Sequence, residues 1–402
     1  MVSEYMPHLR SVTMGVWVWS GTRFEPAGQS GIAHFLEHAV FKGTENRNAY
    51  EIAQSIESLG GYLNAFTGRE LNCYFARIMD SDLPVAIEVI GDLLQYSRFD
   101  QNDIEKEKMV VIEEIRGLED NPEDLVSELY TNLIWQNHNL GRPILGDEQS
   151  ISKFTPNDLV TYLKNRYRNE NIYIIAAGHL DHKELVDLVQ KYYDFPGIVE
   201  EHQSECQLES GSLKTRILSR DISQAHLCLG GIGIPYSHSS KYTLFLLNAI
   251  LGGGMTSRLF QRIREDSGLA YSIYSDVELY QDTGQICISA GVDPSDAQKT
   301  IEMIRNECDI LRKQTVQQVE LDDARSQLIG SLYLSLEESG RVMNRLARME
   351  IYDNSYSLVD ETVRHLESVT TSDIIDLGET IFAEDNTYLA AVGPLSEEDI
   401  NT

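Results

Sequence analysis

The sequence predicts an α+β protein of two homologous domains, each a mainly antiparallel sheet with helices packed on one face. Three observations lead there. The chain has 402 residues, more than a single ordinary core holds, so two domains are the first expectation. The segment TPNDLVTYLKNRYRNENIYIIAAGHL from Thr155 recurs from Thr370 as TTSDIIDLGETIFAEDNTYLAAVGPL, and this offset of 215 sets Asn171 on Asn386, Tyr173 on Tyr388, Ala176 on Ala391 and Gly178 on Gly393. The same offset sets Gly15 of MGVWVWSG on Gly230 of LGGIGIPY without a gap, so the repeat spans whole domains. Within each half an apolar strand is followed by helices, further strands, further helices and a final strand, blocks that pack as a sheet with its helices on one side.

Taken in order, Val12, Met14, Val16 and Val18 alternate with Thr13, Gly15 and Trp17, which is the period of a half-buried strand. No turn precedes that strand, so a few residues are expected upstream. A helix opens at Ser30 or Gly31 and runs through Val40, and a second covers 50–59 and stops at Gly60-Gly61. Strand patterns return at 62–66 and 73–79, and helical ones fill 83–97 and 103–118. Pro122, inside the acidic run from Glu119 to Asp124, starts a new helix after a break. A stretch rich in Glu, Gln, Ser and Gly reads as a linker at 196–212, leaving domains at 1–195 and 213–402.

No stretch approaches the roughly 20 apolar residues of a membrane span, and the N-terminus MVSEYMPHLRSV lacks a basic segment followed by an apolar one. A soluble, cytoplasmic protein is the expectation. The five cysteines, Cys73, Cys206, Cys228, Cys287 and Cys308, are scattered and never spaced as CxxC, so neither a disulfide framework nor a thiolate zinc site is indicated. A net charge of -30 argues against nucleic acid or anionic membrane as a partner, because its field repels both, and favours neutral or basic ligands. Solubility, or a saline or alkaline medium, is the plain alternative reading of that charge.

His34-Phe35-Leu36-Glu37-His38 is HxxEH, the mirror order of the HExxH zinc motif. On a helix, positions i, i+3 and i+4 share a face, so both imidazoles bear on one ion while the Glu37 carboxylate stands beside it. A cation with imidazole ligands is most often zinc, and a catalytic zinc takes a third protein ligand and keeps a position for water. The candidate lies in IEKEKMVVIEEI at 104–115, where Ile104, Val111, Ile115 and Leu118 form a helical stripe. Glu107 and Glu114 fall within about 20° of each other at its edge. Glu114 is the better ligand, with Glu107 behind it as a carboxylate that orients a ligand or tunes the water, and Glu105 and Glu113 read as a solvated face. Zinc at such a site acidifies a water and polarises a carbonyl. With Glu37 as the base that moves the water proton to a leaving amine, amide hydrolysis is the natural reaction.

With these residues in view, the chain resembles the pitrilysin-type (inverzincin, M16) zinc metallopeptidase family, in its processing-peptidase branch, along nearly its whole length. HFLEH at 34–38, FKGT at 41–44, LNAFTGRE at 63–70, IEKEKMVVIEEI at 104–115 and LGRPILG at 140–146 carry the likeness. Glu114 stands 76 positions after His38, the separation at which the family's third ligand falls. The resemblance implies one Zn2+ per chain and an edge strand at Asn64, Ala65, Phe66 and Thr67 that binds the substrate backbone as an added β-strand. It also implies that Arg264 and Tyr271, seven positions apart in REDSGLAY, engage the substrate near the scissile bond, where a guanidinium and a phenol can stabilise developing charge. The second half has Leu247, Asn248 and Ile250 near the place of HxxEH and so no metal site of its own. Family enzymes pair the zinc of one half with the Arg-Tyr pair of another. The resemblance therefore implies a homodimer of facing bowls with an enclosed chamber that admits peptides and unfolded segments, and the acidity of the chain adds the expectation that basic peptides are favoured.

Two other readings stand beside this one. A non-catalytic structural or peptide-binding subunit of the same fold typically lacks a zinc ligand or the base, whereas all four positions are filled here. The glycine cluster LGGGMTSRLF at 251–260 lacks the lysine of a phosphate loop, so a helix-terminating turn is preferred to a nucleotide site. The remaining histidines have no partners at ligand spacing.

Overall fold

The alternation from Val12 becomes the middle strand of a five-stranded sheet in the computed structural model, which describes residues 1–197 and 213–400. Most of the expected linker at 196–212, with His202 and Cys206, lies outside the described residues. The strands are β1 (Val2–Tyr5), β2 (Ser11–Val18), β3 (Tyr62–Thr67), β4 (Asn72–Met79) and β5 (Ile172–Gly178), in the order β1-β5-β2-β4-β3. β1 runs parallel to β5, and the other pairings are antiparallel. β1 was not expected, because four residues are too few to show an alternation.

The pleat sorts the side chains into two apolar clusters. Val12, Met14, Val16 and Val18 pack with Phe35, Leu36 and Val40 of helix α1 (Ile32–Val40), Ile52 and Ile56 of α2 (Ala49–Glu57) and Ile87 and Ile90 of α3 (Leu83–Tyr96). Trp17, Cys73, Ile175 and Ala177 point the other way. Two more helices follow, α4 (Gln101–Asp120) and α5 (Pro122–Ile134). α5 starts where Pro122 was expected to start it, with the Asn121 side chain accepting from the Glu123 amide.

A second sheet repeats the plan with β6 (Thr215–Ser219), β7 (Ala225–Ile232), β8 (Ala270–Leu279), β9 (Gly284–Val292) and β10 (Tyr388–Gly393), ordered β6-β10-β7-β9-β8. The parallel pair falls at the same place, β6 against β10. Each half thus carries the mainly antiparallel sheet expected of an α+β domain.

The compact units do not follow chain order, however. Met1–Gly117 is joined by a stretch beginning at Arg142 and by Ser335–Tyr356, whereas Leu118–Gly141 belongs with the second sheet. The contiguous division into 1–195 and 213–402 therefore differs from the structure at two exchanged segments. In one, α5 lays Val126, Tyr130, Leu133 and Ile134 among Cys228, Tyr388, Ala390 and Val392. In the other, helix Ser339–Arg348 lays Val342, Met343, Leu346 and Ala347 among Trp17, Cys73, Ile175 and Ala177. An offset of 215 carries 122–134 onto 337–349, so the exchange is reciprocal and obeys the repeat. Each sheet consequently has its main helical layer on one face and one exchanged helix on the other. Amphipathic periodicity shows that a helix buries one side, but it does not specify which sheet receives it.

Candidate metal centre

The helix that carries HxxEH is set by what happens at its first turn. Gly31 adopts φ 87° and Gly146 adopts φ 77°, and a Cβ built on Gly31 would stand 2.7 Å from the Gly146 Cα. The Glu25 carboxylate accepts from the amides of Gly31 and Ala33, each at 3.0 Å, satisfying two of the donors that a helix start leaves open. Burial pushes the Glu25 carboxyl up to about 8, against the pull of those two amides and of the Arg142 charge. Gly31→Ala is expected to destabilise the protein by at least about 2 kcal/mol, combining positive-φ strain with the clash, and to weaken zinc binding as α1 shifts. Gly28→Ala is the control, because Gly28 has φ 80° with open space around it and should show the strain alone. Chemical denaturation and zinc titration of both variants check this, and equal losses in the two would sink it.

From that start α1 presents His34, Glu37 and His38 toward α4. The ring centroids of His34 and His38 are 4.6 Å apart. Glu114 Oε2 lies 3.8 Å from His34 Nε2 and 3.6 Å from His38 Nε2. One ligand atom from each of the three residues falls within 4.8 Å of the others, and this is the one such group among the described residues. Tetrahedral donors about 2.0–2.2 Å from a zinc ion stand roughly 3.3–3.6 Å from one another, close to these separations. Glu114 Oε2 is buried with no hydrogen-bond partner, as is His34 Nδ1. An orphaned carboxylate oxygen facing two imidazoles is costly unless a cation completes it, so the donor set fits the expected metal.

The neighbours of these donors are equally specific. His38 Nδ1 donates to Glu107 Oε1 at 2.8 Å, while Lys42 Nζ bridges to Glu107 Oε2 at 2.7 Å. A carboxylate held ionised by a lysine is an acceptor only, so it keeps the proton on Nδ1 and leaves the Nε2 lone pair toward Glu114. Burial, reinforced by the nearby His38, lowers the His34 pKa to about 4, which leaves that ring neutral and able to coordinate. Burial opposes charge on His38 as well, but the bond to Glu107 and the charges of Glu114 and Glu37 outweigh it and raise its pKa. A pocket that favours a proton in this way also favours a metal cation. Glu105 and Glu113, expected on a solvated face, are exposed there and pair with the buried Lys108 and the exposed Arg116.

Glu37 Oε2 accepts from Thr67 Oγ1 at 2.6 Å. Its carboxyl is raised by burial, partly offset by that bond and by His38. Thr67 ends β3, a free edge of its sheet paired only with β4. Tyr62, Asn64 and Phe66 point to one face of that strand, and Leu63, Ala65 and Thr67 point to the other, the side of α1.

In the second unit, Arg264 lies in a π-helical turn, Phe260–Glu265. Its guanidinium is 4.7 Å from the Phe260 ring centroid and 5.9 Å from that of Tyr271, whose side chain is exposed on the edge strand β8. The structure thus brings Arg264 and Tyr271 together. The glycine cluster serves packing: a Cβ on Gly252 would meet Ser275 at 2.5 Å, where helix Lys241–Gly252 ends.

Sequence reasoning did not single out Glu25, Lys42 or Asn72. Lys42 carried a usable signal, because it stands four residues after His38, just past the end of α1. Glu25 caps the helix start from six and eight residues away, outside any capping-box spacing, and Asn72 meets Ala33 only through the fold.

A repeated α+β chain whose HxxEH helix aims two imidazoles at a carboxylate from a later helix has the layout of a metal-dependent hydrolase. Residues 1–148 match the family model "Insulinase (Peptidase family M16)", and residues 153–328 match "Peptidase M16 inactive domain". The uncharacterized zinc protease YmxG of Bacillus subtilis (strain 168) is 38% identical over 396 residues, spanning 98% of this chain and 96% of that protein. Among solved structures, a protease from Helicobacter pylori superposes with a TM-score of 0.89 at 21% identity, over 98% of this chain and 96% of that one. A chain of complex III2 from Candida albicans, with Inz-5 bound, gives 0.85 at 17% identity, over 99% and 94% of the two chains. The chain belongs to peptidase family M16. The two structural likenesses establish the shared fold, and no helix among the described residues is long and apolar enough to cross a membrane.

Proposed function

We propose that this protein is a zinc-dependent metalloendopeptidase, with one Zn2+ per chain held by His34, His38 and Glu114. The observation that carries this reading is the convergence of those three donors beside Glu37 on the same helical face. Zinc bound there would supply a Lewis acid that lowers the pKa of a water toward about 7 and polarises the scissile carbonyl. Glu107 orients His38 through Nδ1 and draws off charge through Lys42. Thr67 occupies Glu37 Oε2, which leaves Oε1 to take the water proton and later to deliver it to the leaving amine. The free edge of β3, through the main chain of Asn64, Ala65, Phe66 and Thr67, binds a peptide as an added strand. Arg264 and Tyr271 complete the site from a second copy, hydrogen-bonding the carbonyl as charge develops, in a homodimer that takes peptides and unfolded segments.

The test is metal analysis joined to product identification. The purified protein should contain one zinc per chain and should cleave internal bonds in a mixed peptide pool, with the products read by mass spectrometry. Chelation should abolish cleavage and added zinc should restore it. Zinc-loaded protein that leaves the pool intact would favour a non-catalytic peptide-binding subunit instead.

A further inference from the structure

Beyond accepting substrate backbone, the end of β3 holds a polar chain that reaches the proposed base from behind. Asn72 is fully buried and sits directly across the β3–β4 hairpin from Thr67. Its side-chain Nδ2 approaches the Ala33 carbonyl at 3.4 Å and the Thr67 hydroxyl at 2.8 Å. Its Oδ1 faces the Ser20 hydroxyl, also at 3.4 Å.

The direction of every proton in this chain follows from one group that has no choice. A backbone carbonyl only accepts, so the face of Asn72 turned to Ala33 is its NH2. The second hydrogen of that NH2 then points at Thr67 Oγ1 and fills an acceptor position there. The single proton of the Thr67 hydroxyl is left to donate, and its partner is Glu37 Oε2 at 2.6 Å. Ala33 belongs to α1, the helix that carries Glu37, so Asn72 ties the helix backbone and the Glu37 side chain to the same strand end.

We propose that Thr67, oriented by Asn72, is a positioning residue for Glu37: its hydroxyl pins one carboxylate oxygen and thereby aims the other at the water. This rests on Glu37 being the base, as proposed above, and assigns to the Thr67 side chain a role separate from substrate-strand binding by its main chain. The two roles sit on one residue. Peptide added along β3 would engage the same strand end whose side chain holds the base, so correct docking and alignment of the base are coupled through Thr67.

Thr67→Val keeps the shape and β-branching of the side chain and removes only the hydroxyl. The expected result is a fall in kcat of roughly 10- to 100-fold, the range for loss of a group that orients an active-site residue, with KM and zinc content near those of the wild type and a modest loss of thermal stability, because the buried Asn72 amide loses the acceptor it has at 2.8 Å. Thr67→Ser should recover most of the lost kcat. An unchanged kcat in T67V overturns the proposal, and so does a raised KM at unchanged kcat, which would mean that the side chain serves substrate binding alone. A crystal structure of the zinc-loaded wild type gives a readout independent of variant folding and of turnover: the bond from Thr67 to Glu37 must persist, and a Glu37 side chain turned away from Thr67 overturns the proposal. Failure of the parent reading looks different, since wild type would then be inert with zinc bound. Failure of this one leaves wild type active and T67V equally so.

Discussion

Glu37→Gln is expected to bind zinc as the wild type does and to lose roughly 100- to 10,000-fold in kcat, the contribution of a positioned general base. The substitution suits the site because glutamine keeps the length and the carbonyl oxygen. That oxygen accepts from Thr67 as Glu37 Oε2 does at 2.6 Å, and the amide nitrogen then stands where Oε1 stood, with no lone pair for a proton. His34, His38 and Glu114 are untouched, so metal content is the internal control. Hydrolysis by E37Q at the wild-type rate with full zinc would remove Glu37 from its role. The same variant tests the shared site. Mixed with Tyr271→Phe chains under subunit exchange, it should regain activity, because one site in each mixed dimer then has both an intact base and an intact phenol. Random assortment of a symmetric dimer puts the recovery at about a quarter of wild type. No recovery on mixing would mean that the pair acts within its own chain or not at all.

How much of this was legible beforehand depends on the range over which each residue finds its partner. HxxEH needs only the helical period, and Glu114 was separable from Glu113 because neighbours on a helix are about 100° apart. Both inferences stay inside single helices, and the structure arranges those residues accordingly. The order of strands and helices was visible for the same reason. The exchange of α5 and Ser339–Arg348 was not, because the apolar faces of these helices suit either sheet equally well at the level of pattern. Asn72 illustrates a further limit. Its importance depends on standing opposite Thr67 in the β3–β4 register, and register is a property of the pairing, not of either strand. Arg264 and Tyr271 came into view only through family likeness; nothing in a helical or strand period links an arginine in a π-helical turn to a tyrosine on the next strand.

The second large effect concerns the metal itself. Glu114→Ala leaves two imidazoles on one helix turn, and two donors hold zinc far less well than three. If a complete protein site supplies on the order of 10–16 kcal/mol, one ligand of three accounts for roughly 3–5 kcal/mol, so zinc affinity should fall by at least about 100-fold, and peptidase activity with it. Glu107→Gln makes the informative comparison, because Glu107 touches His38 and Lys42 and is not among the converging donors. A glutamine oxygen still accepts from His38 Nδ1, but the negative charge that enriches the imidazole is gone, and losses of roughly 10- to 100-fold are expected in affinity or turnover. Competition of each variant against a chelator of known zinc affinity measures both effects. A larger loss of zinc from E107Q than from E114A would reverse the assignment of the two carboxylates. It would also undo the geometric case, since the donor atoms that converge would not be the ones that bind.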